Sequence, residues 1–467
     1  MASIGERLCS EGLITEQDLD KALIRQRAEG GRLGQNLVAL GVVSKEELSR
    51  FLKKHPIVPA SIEETGLSIS FIADLIMKHV NSLGEFMIAD VADGVKLPVS
   101  LVNKIIEMLK KERLIEVTGG SSFSKISYNY KITDLGRNRG AELMDLCRYV
   151  GPAPVTLEAY RKMVEFQTVK HIVVSHETVK KAFSHLVLSE SLKKRLGPAI
   201  SSGKAMFVYG PSGNGKTAIA ETIGALLTET VYIPYAITVG GQIIIMFDPV
   251  SHVPVDCKGG TTLVDQRWIK IKRPVVMTGG ELSLKMLDLD FNPISKYYEA
   301  SLQMKANTGL FIADDFGRQQ IEPQSLLNRW IVPLDRHVDF MTLHTGIKFE
   351  IPFDMLVIFS TNIEPREIAD EAFLRRIRYK IKIDHPSEER FELIFKKVCE
   401  SNMIPFKKDI FEYLMDNYYH RLRVSLNGCH PRDIIDHIID SAHYYMHAPR
   451  LTREGIDAAW QNYFVDM

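Results

Sequence analysis

Between Gly210 and Thr217 the chain reads Gly-Pro-Ser-Gly-Asn-Gly-Lys-Thr, a complete G-x-x-x-x-G-K-T. Glycines at this spacing let successive backbone N–H groups converge on one point, and a helix starting at the lysine would add the positive end of its dipole. That is a phosphate cradle. Gly210, Pro211, Ser212, Gly213, Asn214, Gly215, Lys216, Thr217 and Ala218 are therefore candidate nucleotide-binding residues. Lys216 would reach the β- and γ-phosphates, and the Thr217 hydroxyl would ligate Mg²⁺. A metal held this way needs an acid from a neighbouring strand. The apolar run Leu310-Phe311-Ile312-Ala313 ends in Asp314-Asp315. Asp314 is the candidate Mg²⁺ partner, directly or through water, and Asp315 would polarise the attacking water.

These residues need a scaffold, and the surrounding pattern supplies one. Residues 205–209 read as a short apolar strand before the loop, and 218–227 as a helix after it. Residues 355–359 form another apolar strand, ending in Ser360-Thr361-Asn362. The segment Ala372-Phe373-Leu374-Arg375-Arg376-Ile377 leads into a strand over 380–383. Beyond Pro386 the pattern is helical. Ser387 can cap a helix with Glu388 and Glu389 in its first turn and Phe391, Ile394, Phe395 and Val398 facing inward. Gly428-Cys429-His430-Pro431-Arg432-Asp433 opens another helix. Between Thr217 and Asp314, Gly240-Gly241 before an apolar run predicts an added hairpin, facing a central pore or a partner.

The order of these parts, from about residue 155 to Met467, resembles the AAA+ family of P-loop ATPases. The resemblance implies a multidomain α/β protein. Its core would be a parallel sheet flanked by helices over 151–386, followed by a helical lid over 387–467. It implies that Asn362 is sensor 1, that Arg432 is sensor 2, and that Arg375 is an arginine finger with Arg376 as its partner. Such a finger reaches the γ-phosphate bound by a neighbouring subunit and neutralises transition-state charge. A surface arginine pair at a helix end is the alternative. A trans finger implies a homo-oligomer, in this family a hexameric ring. One position departs from the pattern: most of the family has glutamate where this chain has Asp315. The shorter side chain sets its carboxylate back by about 1 Å. Slow turnover, or a contribution from Glu281, are the readings left open. Cys429-His430, and His252 with Cys257, lack the second spaced pair a zinc site requires.

The N-terminus carries a repeat. Gly5, Leu8, Gly12, Leu13, Ile14, Thr15, Leu19 and Leu23 return twenty-nine residues later as Gly34, Leu37, Gly41, Val42, Val43, Ser44, Leu48 and Leu52. In each copy a helix ends at glycine, and Thr15 or Ser44 caps the next, with Asp18 or Glu47 three residues on. This predicts a helical tandem-repeat domain over 1–56. It resembles the N-terminal domain of type II secretion and type IV pilus assembly ATPases, where a tandem Arg-Leu-Gly motif can bind cyclic di-GMP. The second copy has Arg32-Leu33-Gly34 and the first Ser3-Ile4-Gly5. A docking module without dinucleotide is the alternative.

Residues 57–150 read as three helices, marked by Ile72–Val80, Ile88–Val95 and a third over 98–113, followed by a hairpin over 114–117 and 126–132. This winged-helix-like unit would expose Ser100, Asn103 and Lys104 on its third helix. Lysines and glutamates are interleaved there, which favours protein contact over DNA.

Bulk properties fit this division. A chain of 467 residues exceeds one core. Lys plus Arg equals Asp plus Glu at 58 each, which excludes a protein that coats nucleic acid over its whole surface. Five scattered cysteines read as reduced thiols of a cytoplasmic protein. No leader pattern and no bilayer-length apolar run occur, so no membrane insertion is expected. The sequence thus predicts ATP hydrolysis driving remodelling or regulation of a protein partner, with a bacterial secretion or pilus system as candidate client. A DNA-associated ATPase and a slow ATP/cyclic di-GMP switch are the alternatives.

Overall fold

The structure, a computed structural model, describes residues 8–9, 13–29, 33–44, 55–119, 128–172, 174–255 and 264–464. At its centre lie five parallel strands: β1 (Met206–Tyr209), β2 (Val275–Thr278), β3 (Leu310–Ala313), β4 (Leu356–Thr361) and β5 (Tyr379–Lys382). Their order across the sheet is β2-β3-β4-β1-β5. Parallel strands covered on both faces must be apolar throughout, and β3 and β4 are buried at every residue. Period-two alternation sorts two different cores. Met206, Val208, Leu310, Ile312, Leu356 and Ile358 face Ile219, Ala220 and Ile223 of α1 (Lys216–Ala225) in an aliphatic cluster. Phe207, Phe311, Val357 and Phe359 face the other way, onto Leu326, Leu327 and Trp330 of α2 (Pro323–Arg336). There Phe207 and Phe359 lie 5.1 Å apart by centroid, and Phe311 meets Trp330 edge-on at 5.2 Å. Each such side chain contributes about 1.5–3 kcal/mol of burial.

The C-terminal part is helical: α3 (Glu388–Ser401), α4 (Lys408–Leu414) running into a π-helical turn (Met415–His420), α5 (His430–Tyr444) and α6 (Arg453–Tyr463). Ser387 caps α3 by accepting the Arg390 N–H. Phe391 and Phe395 are buried as the pattern requires. Cys399, rather than Val398, completes the buried stripe, while Ile394 and Val398 are only half-buried. The molecule is a multidomain α/β protein with a flanked parallel sheet and a helical C-terminal part, the class expected from the sequence.

The strand pair predicted at Gly240-Gly241 is present. Ala236–Val239 and Gln242–Ile245 pair antiparallel around a two-residue turn in which both glycines have positive φ. It does not project from the molecule. It joins a five-stranded sheet with Asp290–Asn292, Tyr297–Glu299 and Val155–Thr156. One face of that sheet, with Ile237, Ile244 and Tyr298, packs on Tyr160 and Met163. The other face gives Ala236 and Ile243 to the core of the N-terminal helices. The alternation of apolar residues on both faces explains the outcome: a hairpin exposed to a pore would not need two apolar faces. A buried ion pair fastens the junction. Arg267 meets Asp265 at 2.8 Å and donates to the carbonyls of Thr65 at 3.0 Å and Pro154 at 3.3 Å.

The helices Ile69–Leu83, Ile88–Val95 and Val99–Lys111 share one core with a three-stranded antiparallel sheet. Its strands are ordered Glu85–Met87, Asn129–Ile132, Ile115–Gly119. Two elements here escaped the sequence reading. Glu85–Met87 buries only Phe86, too little for a period. The helix Asp134–Leu146 contains Gly136 and Gly140, poor helix formers. Both are close-approach positions: a Cβ on Gly136 would lie 2.1 Å from the Leu114 carbonyl, and one on Gly140 2.8 Å from Asn81. On the third helix Ser100 and Lys104 are exposed, but Asn103 is half-buried with its Oδ1 enclosed.

In the first repeat Thr15 and Asp18 form the reciprocal cap, with Asp18 Oδ2 accepting from the Thr15 N–H at 3.1 Å. Leu13 N–H bonds Leu8 O, and twenty-nine residues on Val42 N–H bonds Leu37 O. Leu8, Ile14, Leu19, Leu33, Leu37 and Val43 make a shared core. Arg32, the first-copy counterparts Ser3 to Gly5, Glu47 and the tip of the 114–132 hairpin lie outside the described residues. No helix among the described residues is long and apolar enough to cross a membrane.

Candidate functional site

Every strand of the central sheet points its carboxyl end the same way, so loops after β1, β3 and β4 meet at one edge. In open α/β sheets that edge is where ligands are held. The loop 210–217 leaves β1 there. Gly210 has φ +139°, and a Cβ on it would lie 2.1 Å from the Ile383 carbonyl, so only glycine fits. Lys216 starts α1 and is 7 % exposed. Its ammonium donates to the carbonyls of Gly210 and Pro211, both at 2.9 Å, across the mouth of the loop. Burial lowers its pKa; Asp315 and Asp314 oppose that shift, and Arg318 adds to it.

Thr217 Oγ1 donates to Asp314 Oδ2 at 2.8 Å, although ninety-seven residues separate them. A hydroxyl and a carboxylate at one point are hard oxygen donors, the set Mg²⁺ prefers. Among the described residues no group of three or more His, Cys, Asp or Glu could hold a metal.

Asp315 follows in a left-handed conformation, φ +47°. Asp and Asn tolerate that region several-fold better than other side chains, which gives a backbone reason for aspartate at this position. The turn is held from both sides: Phe316 N–H donates to Ser360 O at 2.7 Å, and Gln319 Nε2 to Asp314 O at 3.1 Å. Asn362, just beyond β4, directs Nδ2 at Asp315 Oδ1, a long contact of 3.5 Å. Glu281 turns back to accept the Gly279 N–H at 2.8 Å. It is engaged in its own loop.

The structure thus brings Gly210 to Ala218, Asp314, Asp315 and Asn362 to one edge. It also brings in residues 427–429, of which Gly428 and Cys429 read from the sequence as the opening of a helix but not as partners of the loop. Asn214 Oδ1 accepts from the Gly428 N–H at 2.8 Å, Cys429 N–H donates to Gly213 O at 2.7 Å, and Asn214 Nδ2 reaches Asn427 Oδ1 at 3.4 Å. Arg432 lies one turn on from Cys429, with its side chain 69 % exposed and its Nε 3.6 Å from Asp433 Oδ1. His430 is not a metal ligand in waiting: Nδ1 meets the Tyr419 hydroxyl at 2.9 Å and Nε2 the Asn427 amide at 3.3 Å, and burial pushes its pKa down to about 4. His252 is likewise used up, between the Asp248 N–H and the Lys305 carbonyl.

Arg375 and Arg376 are elsewhere. They follow the short helix Glu371–Leu374 and precede β5, so they sit at the amino end of the sheet, across it from the loop. Arg376 Nε bonds Asp335 at 2.6 Å. Arg375 is exposed and makes no ion pair among the described residues.

Comparison with other proteins adds little to this geometry. Residues 387–462 match a family described as a domain of unknown function (DUF8689). No curated protein sequence matches the chain. Among solved structures, the chain is similar to the Thermotoga maritima RuvB Holliday junction branch migration motor, with 12% identity and a TM-score of 0.33, over 64% of this chain and 74% of that one. It is also similar to Brucella abortus NtrX in complex with ADP, with 14% identity and a TM-score of 0.36, over 60% of this chain and 56% of that one.

Proposed function

We propose that the chain is an AAA+ type ATPase that binds ATP with Mg²⁺ at the loop 210–218 and hydrolyses it to ADP and phosphate. The observation that carries this is the 2.8 Å bond between Thr217 and Asp314, which joins the end of the phosphate loop to an acid from another strand. A loop that took its phosphates without a metal would not need that acid.

In this reading the N–H groups of Gly213 to Lys216 and the start of α1 hold the phosphates, and the Lys216 ammonium exchanges its two carbonyl partners for phosphate oxygens. Thr217 and Asp314 hold the metal, which when bound neutralises charge on the β- and γ-phosphates. Asp315 accepts the proton of the attacking water, and Asn362 orients its carboxylate. Arg432 lies within one turn of the loop contact and acts on the nucleotide of its own subunit. Arg375, remote from its own loop, acts on a neighbour's in a homo-oligomeric ring. Four units, 1–56, 57–150, 151–386 and 387–467, would divide this work. The N-terminal repeat would dock a protein partner, and its resemblance to secretion and pilus ATPases makes a component of such a system the candidate. Phosphate release by the full chain, measured beside Asp315→Asn, tests the reading. Turnover in the wild type that falls at least a hundredfold in the variant supports it; equal rates would sink it.

A further inference from the structure

At the amino ends of β1 and β5 a cavity of about 500 Å³ opens on the side of the sheet away from the phosphate loop. Its floor is apolar, made by Ala205, Leu334, Phe353 and Met355. Its polar lining is Lys204, Asp335, His337, Arg375 and Arg376. The single carboxylate is already engaged, since Asp335 meets Arg376 Nε at 2.6 Å. Lys204 and Arg375 are both exposed and make no ion pair among the described residues. His337 is held below its ordinary range mainly by burial, with Lys170 and Lys204 acting the same way and Asp354 and Asp335 against it. It faces the cavity as a neutral imidazole at pH 7. The rim therefore carries two uncompensated positive charges beside a paired one.

Arg375 also borders a second cavity, and the contrast is informative. That one is lined by Glu364, Asp370 and Glu371 as well as Arg366 and Lys380. Acids outnumber the cations other than Arg375 there. Only the Lys204 side is electropositive. Three cations around a concavity of ligand size match a phosphate group better than a lone carboxylate, because the Arg375 fork can take two oxygens and leave a third for Lys204 or Arg376.

We propose that this cavity is a second anion site, binding a phosphate-bearing group through Lys204, Arg375 and Arg376 independently of the loop 210–218. The phosphate has two sources: a nucleotide held by an adjacent copy of the chain, or a free polyphosphate. Lys204 belongs to no motif and precedes the loop-bearing strand; the first source rests on the ATPase reading above, in which Arg375 acts on a neighbour's nucleotide, and the second does not.

The test uses the full-length chain carrying Lys216→Ala, which removes the loop's own cation, titrated calorimetrically with sodium tripolyphosphate. Saturable binding that weakens with salt is expected, and Lys204→Ala or Arg375→Ala added to this background should weaken it at least tenfold with unchanged melting. No saturable binding to the Lys216→Ala protein, or binding indifferent to both further substitutions, overturns the site. Lys204→Ala in the otherwise wild-type chain separates the sources. A fall in ATP hydrolysis assigns the phosphate to an adjacent copy's nucleotide. Unchanged hydrolysis with lost tripolyphosphate binding assigns it to a free polyphosphate.

Discussion

Asn214 accepts the backbone N–H of Gly428 at 2.8 Å, so the tip of the phosphate loop is tied to the start of a helix 214 residues further along the chain. Beside it, a Cβ on Gly213 would fall 2.5 Å from Cys429 Sγ. The position of the C-terminal helices and the shape of the loop are thereby linked through two adjacent residues.

Asn214→Ala leaves the Gly428 N–H unpartnered, at a cost of about 1 kcal/mol. Amide exchange at 427–432 should accelerate about fivefold, since 1.4 kcal/mol is a factor of ten. Gly213→Ala, at φ +76° and in collision with Cys429, should accelerate it further. Exchange unchanged in both variants would show that the contact does not hold the helices in place.

The paired oxygens of Thr217 and Asp314 make a separate prediction about metal. Thr217→Val and Asp314→Asn should each weaken ATP binding about tenfold in Mg²⁺ and leave it unchanged in a chelator. Equal losses in both conditions would place the two side chains on the nucleotide rather than on the cation.

Much of this site was legible in the sequence because its signals are local. The spacing from Gly210 to Thr217 carries its own chemistry, and Asp314 announces itself at the end of a strand with no polar residue. The contacts of Asn427, Gly428 and Cys429 with the loop left no such trace. Two of their contacts are made by backbone N–H groups, which no side chain advertises, and their partners are more than two hundred residues away. Lys204 is similarly silent, a lone lysine until the fold sets it near Arg375. In the scaffold, apolar strands and capped helices were readable. The helix Asp134–Leu146 was hidden by the two glycines that let it approach its neighbours.

His430 sets a pH dependence. Its pKa falls from 6.5 to about 4 on burial, so the unfolded chain binds the extra proton between those values and the folded chain does not. Stability is therefore full above about pH 6.5 and falls as pH drops toward 4, by roughly 3 kcal/mol at most. His430→Gln should flatten that part of the melting-temperature profile. A slope identical to the wild type would remove His430 as its source.

Asp315→Asn and Arg375→Ala should each bind ATP and hydrolyse it poorly. If the two residues serve one site from different subunits, mixing the two inactive proteins should restore partial turnover, because some interfaces then pair an intact Asp315 with an intact Arg375. A mixture as inactive as its parts, with subunit exchange demonstrated, would confine Arg375 to its own chain.

The most direct test of the account is calorimetric titration of ATP with Mg²⁺ into the full chain and into Lys216→Ala. The buried ammonium of Lys216 is the cation at the mouth of the loop, held there by the carbonyls of Gly210 and Pro211. The wild type should bind one ATP per chain, and the variant, melting at the same temperature, should bind at least a hundredfold more weakly. Equal affinity in the two proteins would mean that the loop 210–218 is not where nucleotide binds, and the proposed ATPase would be wrong.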